Sequence, residues 1–307
     1  MKTLTPAAFN RARGMIVAWG RPLDQARFDC RFAYGPCRNV YLALAEYQNP
    51  DGGFGNGLEP DLRTEASSAI ATLTALRIAH DFAIPPDQPV IGRATDWLVA
   101  HYDDSRDVWP IVPPEVDGAP HAPWWTHATT EDAFGSFLVT PTIAIAAHLR
   151  VFSRTVPPAF LARLDEVVHA RLDQAGPAMT MFDIQCWMDL AAVAEPPLRD
   201  RILHELRAAV PRIVQTDPAT WNSYGLTPID VAPTPSSPLA TALPPGVMDA
   251  YLDFLVDSQH LDGSWPLTWS WGHLDPETWR DVEQDWKGFQ AVHILSALTE
   301  WGRITAE

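Results

Sequence analysis

Gln48-Asn-Pro-Asp-Gly-Gly-Phe54 decides the reading of the fold, because Gln259-His-Leu-Asp-Gly263-Ser-Trp265 repeats it near the other end of the chain. Both read Gln-x-x-x-Gly-x-aromatic, and both follow an apolar segment of helical character. A turn that recurs after a helix marks a repeat architecture. Its residues have a physical logic. Glycine permits left-handed or tightly bent backbone, and Asp51 or Asp262 can accept from backbone amides within the turn. Gln48 or Gln259 can reach an unpaired helix-end group, and Phe54 or Trp265 packs between helix pairs. These are structural duties.

Working outward, the periodicity predicts helices in pairs, an amphipathic member followed by a more apolar one. Thr5-Pro6 opens a helix over 6–19, 23–33 forms a short one, and 38–48 leads into the first turn. The apolar partner is expected over 65–82. Further helices are expected over 90–102, 141–153, 158–173, 180–194, 197–214, 246–259 and 286–302. Two irregular stretches separate them, 103–136 with Trp109, Trp124 and Trp125, and the Pro-rich 226–245. Either can cover one mouth of a ring; loops of that length are often functional. No segment alternates as a strand does. The chain therefore reads as all-α and as one domain over 1–307, with about five to six helix pairs closing into a ring and an open solenoid as the competing arrangement.

Composition narrows the partners. Apolar residues make up 47% of the 307, enough for a sizeable core, and the 13 Trp are many. A net charge of -16 argues against nucleic acid and anionic membrane surfaces, which select basic patches. The three cysteines, Cys30, Cys37 and Cys186, form neither a disulfide framework nor a zinc-ribbon spacing. No apolar run reaches the roughly 18 residues of a membrane span, and no signal core opens the sequence. The expectation is a cytoplasmic protein; its oligomeric state is not legible.

The two turns and the helix order resemble the repeats shared by squalene-hopene-type cyclases and the β-subunits of protein prenyltransferases. The best-matching repeats cover residues 38–82 and 246–302. The resemblance implies an α/α-toroid with an apolar central cavity. It also directs attention to Gly57-Leu-Glu59-Pro-Asp61-Leu-Arg63, which is similar to the acid-x-acid-x-Arg run that follows such a turn in the prenyltransferase subunits. Two signatures are missing. The Asp-x-Asp-Asp acid of the cyclases has no counterpart. The zinc ligands of the prenyltransferases are replaced, since Asp183-Ile-Gln-Cys186 has one residue too many and Gln290 falls where the zinc histidine would stand. No metal or cofactor is expected.

Candidate chemistry gathers at two acidic clusters. Glu59 and Asp61, with Arg63 as an anion contact, stand just ahead of the expected helix 65–82, where a helix N-terminus favours negative charge. Glu283 and Asp285, in Asp281-Val-Glu283-Gln-Asp285-Trp286, stand at the expected start of the last helix. Clustered carboxylates in an apolar pocket raise one pKa and create a general acid; ion pairing and ordinary first-turn acidity are the structural alternatives. Trp271, His273, Trp286 and Gln290 are the candidate substrate contacts, aromatic faces suiting cations and apolar ligands. The expected function is acid–base or carbocation chemistry (cyclisation, isomerisation or elimination) on an apolar, isoprenoid-like small molecule. A non-catalytic binding module of the same fold is the first alternative. A carbohydrate-active α/α-barrel enzyme is the second.

Overall fold

The computed structural model describes residues 1–176, 178–272 and 274–305. Among these the chain is all-α. Its helices in order are α1 (Pro6–Trp19), α2 (Pro22–Phe32), α3 (Arg38–Ala45), α4 (Ala69–Asp81), α5 (Pro89–Ala100), α6 (His127–Ala133) and α7 (Thr142–Val151). There follow α8 (Pro158–Gln174), α9 (Met181–Val193), α10 (Pro196–Ile213), α11 (Pro228–Val231), α12 (Val247–Asp257) and α13 (Pro276–Glu300). Among the described residues no strand forms, only isolated bridges. The chain divides into two compact units, Met1–Val40 with Arg207–Glu307, and Tyr41–Leu206. We call these the terminal unit and the middle unit.

Local chemistry sets most helix ends. Thr5 caps α1 by accepting from the Ala8 amide, with Pro6 at the first helical position, and the helix stops at Gly20. Ser68 caps α4 through the Ala71 amide. Thr180 and Asp183 form a reciprocal capping box on α9, and Thr227 and Asp230 form one on α11. Two starts differ from the sequence expectation. Helix α4 begins at Ala69, not 65, because Ser68 supplies the cap. Helix α13 begins at Pro276, not 286, because Asp275 caps it through the Thr278 amide. Apolar periodicity fades in that charged first half, which hid it.

In the middle unit, α7 is the core element, buried from Thr142 to Leu149 and packed by α4, α8 and α9. The first turn sits at the end of α3 and grips α5. Gln48 Nε2 donates to Gly52 O within the turn and to Val90 O on α5, both at 2.8 Å. Its Oε1 accepts from Arg93. Asp51 accepts from the Gly53 amide at 3.0 Å and from Trp97 Nε1 at 3.0 Å. Phe54 is buried beneath the turn at 1% exposure.

The terminal unit repeats the glutamine, arginine and aspartate contacts of this turn. Gln259 Nε2 donates to Gly263 O at 3.2 Å and to Ala8 O of α1 at 3.0 Å, and Arg11 donates to Gln259 Oε1 at 3.1 Å. Asp262 accepts from the Ser264 amide at 2.9 Å, and Trp265 is buried with its indole on Leu255 O. The pair Val90 and Arg93 on α5 thus corresponds to Ala8 and Arg11 on α1. The last turn of the series grips the first helix. Around it α13 packs on α1 and α2, and Arg303, 1% exposed, ties Asp249 and Asp253 to the Lys2 carbonyl.

Among the described residues no single helix is long and apolar enough to cross a membrane; one pair, His127–Ala133 with Gly135–Val151, reaches that length only across a 75° bend. The cysteine reading needs correction. Cys30 and Cys37 form a disulfide between the end of α2 and the start of α3, leaving Cys186 as the free thiol. Disulfides are rare in the cytosol, so this bridge runs against the expectation of a reducing compartment.

The turn glycines are the sharpest test of this packing. Gly263 has φ +94°, and a Cβ there would stand 2.2 Å from the Arg11 carbonyl oxygen. Gly263→Ala should cost about 2 kcal/mol or more. Gly92→Ala, inside α5 with open space around it, should gain about 0.5–1 kcal/mol. Urea unfolding midpoints of the two variants check both signs.

Candidate functional site

The first acidic run lies in the middle unit, in the segment between the turn and α4. Glu59 and Asp61 are buried, at 9% and 3% exposure, which separates them from an ordinary solvated surface pair. The backbone explains their position. Asp61 O accepts from the Ala122 amide at 2.9 Å, the Arg63 amide donates to Pro120 O at 3.0 Å, and Leu62 bridges to His121. The long irregular stretch therefore clamps the run from outside. Because Ser68 starts α4, neither carboxylate stands at a helix N-terminus, and that part of the expectation is corrected.

The second acidic run lies in the terminal unit, inside α13. Glu283 pairs with Lys287 one turn on at 2.8 Å, half exposed, as a helix-face ion pair of small worth. Asp285 is half-buried on the same helix. The early start of α13 puts both in the helix interior, so they are not the counterpart of Glu59 and Asp61 in local structure. Trp271 is buried and stacks at a tilt on Trp279, with centroids 6.1 Å apart. His273 lies outside the described residues.

The other two expected contacts do come together. Trp286 and Gln290 recur on α13 at i and i+4, and His293 follows at i+7, which puts all three on one stripe of the helix. Trp269 meets Trp286 edge-on at 5.1 Å, and Phe289 meets Trp286 edge-on at 5.6 Å. Such edge-to-face pairs are a favoured aromatic geometry. The stripe carries polar atoms as well as rings. Nε1 of Trp269, Nε1 of Trp286, Oε1 of Gln290 and Nε2 of His293 are buried with no hydrogen-bond partner among the described residues.

At the far end of the stripe stands a pair that sequence reasoning missed. His293 Nε2 lies 3.5 Å from Asp230 Oδ1, within ion-pair reach but without hydrogen-bond geometry, so the nitrogen has no hydrogen-bond partner among the described residues. Asp230 is fixed by its cap, accepting from the amide and hydroxyl of Thr227 at 2.7 Å each. Burial pushes the Asp230 carboxyl up, but the His293 and Thr227 contacts outweigh it and hold the pKa below the usual 3.8. Asp230 is thus an anion beside an imidazole. A carboxylate this close to an imidazole stabilises its protonated form. Tyr251 adjoins it, its phenol pushed up by burial and by the Asp230 charge. The signal for Asp230 was present as Thr227-Pro-Ile-Asp230, a capping-box spacing; nothing local linked it to His293.

The middle unit holds a separate polar core. Arg77 of α4 reaches Asp189 of α9 through two nitrogens, at 2.8 and 2.6 Å. Cys186 is buried beside them, and burial pushes its thiol up to about 12, which keeps it protonated and a poor nucleophile or metal ligand. Asp183 is engaged in its capping box and by Thr140 at 3.1 Å. His148 of α7 is buried at 3% exposure, its ring 5.6 Å from that of His80. Burial pushes its pKa below the usual 6.5, the Arg77 charge adding to this and the Asp189 charge opposing it.

No protein-family model matches the chain, and no curated protein matches it significantly.

The buried histidine gives a pH prediction. A histidine whose folded pKa is depressed stabilises the fold fully above the unfolded value of 6.5, and that stability is lost as pH falls from there toward the folded value. Thermal midpoints should therefore drop between pH 7.5 and pH 5. His148→Leu should flatten that drop, as seen by a calorimetric pH series.

Proposed function

We propose that this chain is an enzyme carrying out acid–base or carbocation chemistry (cyclisation, isomerisation or elimination) on an apolar small molecule. The observation that carries this is the Asp230–His293 pair at the end of an aromatic stripe formed by Trp269, Trp286 and Phe289. Asp230 holds the imidazole, His293 moves the proton, and the rings contact the apolar body and steady developing positive charge. The isoprenoid class and the α/α-toroid come from the likeness of the two turns to those of the cyclase and prenyltransferase superfamily. The last turn grips α1 as the first grips α5, so the two turns share one docking geometry within their own units.

Glu59 and Asp61 are buried carboxylates of the middle unit, a separate candidate cluster from the Asp230–His293 pair of the terminal unit. Glu283 drops out of it, since Lys287 already engages it. A non-catalytic ligand-binding module is the second reading, favoured by that pairing and by the inert Cys186.

Cyclisation or isomerisation started by protonation leaves a solvent proton in the product, whereas elimination releases a proton and gives a product lighter by the group lost. The protein incubated in heavy water with linear prenyl alcohols, their diphosphates and polyprene hydrocarbons should yield either a product carrying solvent deuterium or the elimination product, read by mass spectrometry. His293→Asn should slow that formation about 100-fold. Deuterium-free recovery of every substrate, or a His293→Asn variant as fast as the parent, contradicts the proposal.

A further inference from the structure

The disulfide Cys30–Cys37 stands in the terminal unit where a cross-link adds little to the fold and meets solvent. Cys37 is exposed and Cys30 half-buried. The bridge spans a sequence separation of 7, and short loops are those in which a cross-link removes least chain entropy. Within it Arg31, Ala33, Tyr34 and Pro36 are exposed. Tyr34 is fully exposed and holds a left-handed backbone at φ +55°, which a bulky side chain seldom adopts. Backbone bonds add to the bend. The Ala33 and Gly35 amides donate to Asp29 O at 3.0 and 2.9 Å, and the Asn39 amide donates to Pro36 O at 2.9 Å.

The body of α2 is held by other means. Leu23, Asp24 and Phe28 are buried, Asp24 accepts from Arg21 and Arg27, and α13 packs along the helix. Opening the bridge therefore releases the connection and the start of α3 and leaves α2 in place. The third cysteine takes no part. Cys186 is buried, and burial pushes its thiol up to about 12. We propose that Cys30–Cys37 is a reversible redox clamp on the connection between α2 and α3, opened by a dithiol reductant. The opening takes two displacements. A thiolate of the reductant attacks Sγ of the exposed Cys37, the disulfide bond breaks, and Cys30 leaves as thiolate. The second thiol of the reductant then attacks its own sulfur in the mixed disulfide, which frees Cys37 and closes the reductant into a disulfide. Two electrons pass to the protein, and the two protons of the dithiol end on Cys30 and Cys37. Residues 31–37, no longer closed into a loop, relax from the strained turn at Tyr34. Transient, sensing disulfides are the kind that occur in reducing surroundings. The clamp involves none of the residues of the functional proposal.

Dithiothreitol applied to the folded full chain, followed by iodoacetamide and peptide mapping, tests this. Chymotrypsin digestion of the oxidised and reduced forms runs beside it. Cys30 and Cys37 should be alkylated and Cys186 not, with the helical circular dichroism unchanged. The thermal midpoint should fall by about 2–7 °C. Cleavage after Tyr34 should run at least about tenfold faster in the reduced chain, because a protease needs a segment that opens locally. Oxidised glutathione should restore both the bridge and the slow cleavage. The double variant Cys30→Ser/Cys37→Ser should behave as the reduced chain with or without reductant. Four results overturn the proposal: a bridge that opens only as Cys186 becomes labelled and helicity is lost, equal cleavage after Tyr34 in the two forms, thiols that oxidised glutathione does not rejoin, or a double variant that does not fold.

Discussion

The rest of the structure depends on one glutamine amide that serves two carbonyls at once. Gln48 closes its own turn on Gly52 and grips Val90 of the next helix; Gln259 does the same with Gly263 and Ala8. Those carbonyls lie in the turn and in the first helical turn of the neighbouring helix, so one side chain fixes both the bend and what it packs on. Glycine is required at the bend, with φ of +99° at Gly52 and +94° at Gly263, because a Cβ at either would strike the backbone of the gripped helix. The arginine three residues after the gripped carbonyl then holds the glutamine oxygen. Sequence, turn geometry and helix docking are here one constraint.

The fold was legible where a local rule wrote it. The turn motif, the Thr5-Pro6 start and the apolar segments led to α1, α7, α8 and α9 within a residue or two of their bounds. It was less legible where caps overrode periodicity. Ser68 delays α4, and Asp275 starts α13 while its sequence is still charged. That second shift moved Glu283 and Asp285 from a helix N-terminus into a helix face. The Pro-rich stretch hid α11, whose four residues carry the capping box that fixes Asp230.

The site was legible in part, and for a similar reason. Trp286 stood out as an aromatic beside the second acidic run, and Gln290 as the residue falling where the zinc histidine of the resembling family would stand; that both lie on one face of α13 comes from the structure. The Asp230–His293 pair joins residues far apart in the chain, and no periodicity reports such a contact. The disulfide between Cys30 and Cys37 was missed because the spacing matches no framework; it depends on how α2 ends. What emerges is a division of labour. The repeated turns hold helices in place, and the functional proposal rests on one stripe of α13 with Asp230 of α11 beside it. A buried polar group without a partner is costly to a fold, and Trp269, Trp286, Gln290 and His293 each keep one such atom among the described residues.

The equivalence of the two turns is the central claim, and the unfolding free energy of Gln259→Ala tests it most directly. Removing that side chain takes the donor from both Gly263 O and Ala8 O, so the loss should be about 1–3 kcal/mol, matching Gln48→Ala measured beside it. A Gln259→Ala variant as stable as the parent, with Gln48→Ala destabilised, would show that the last turn does not grip the first helix.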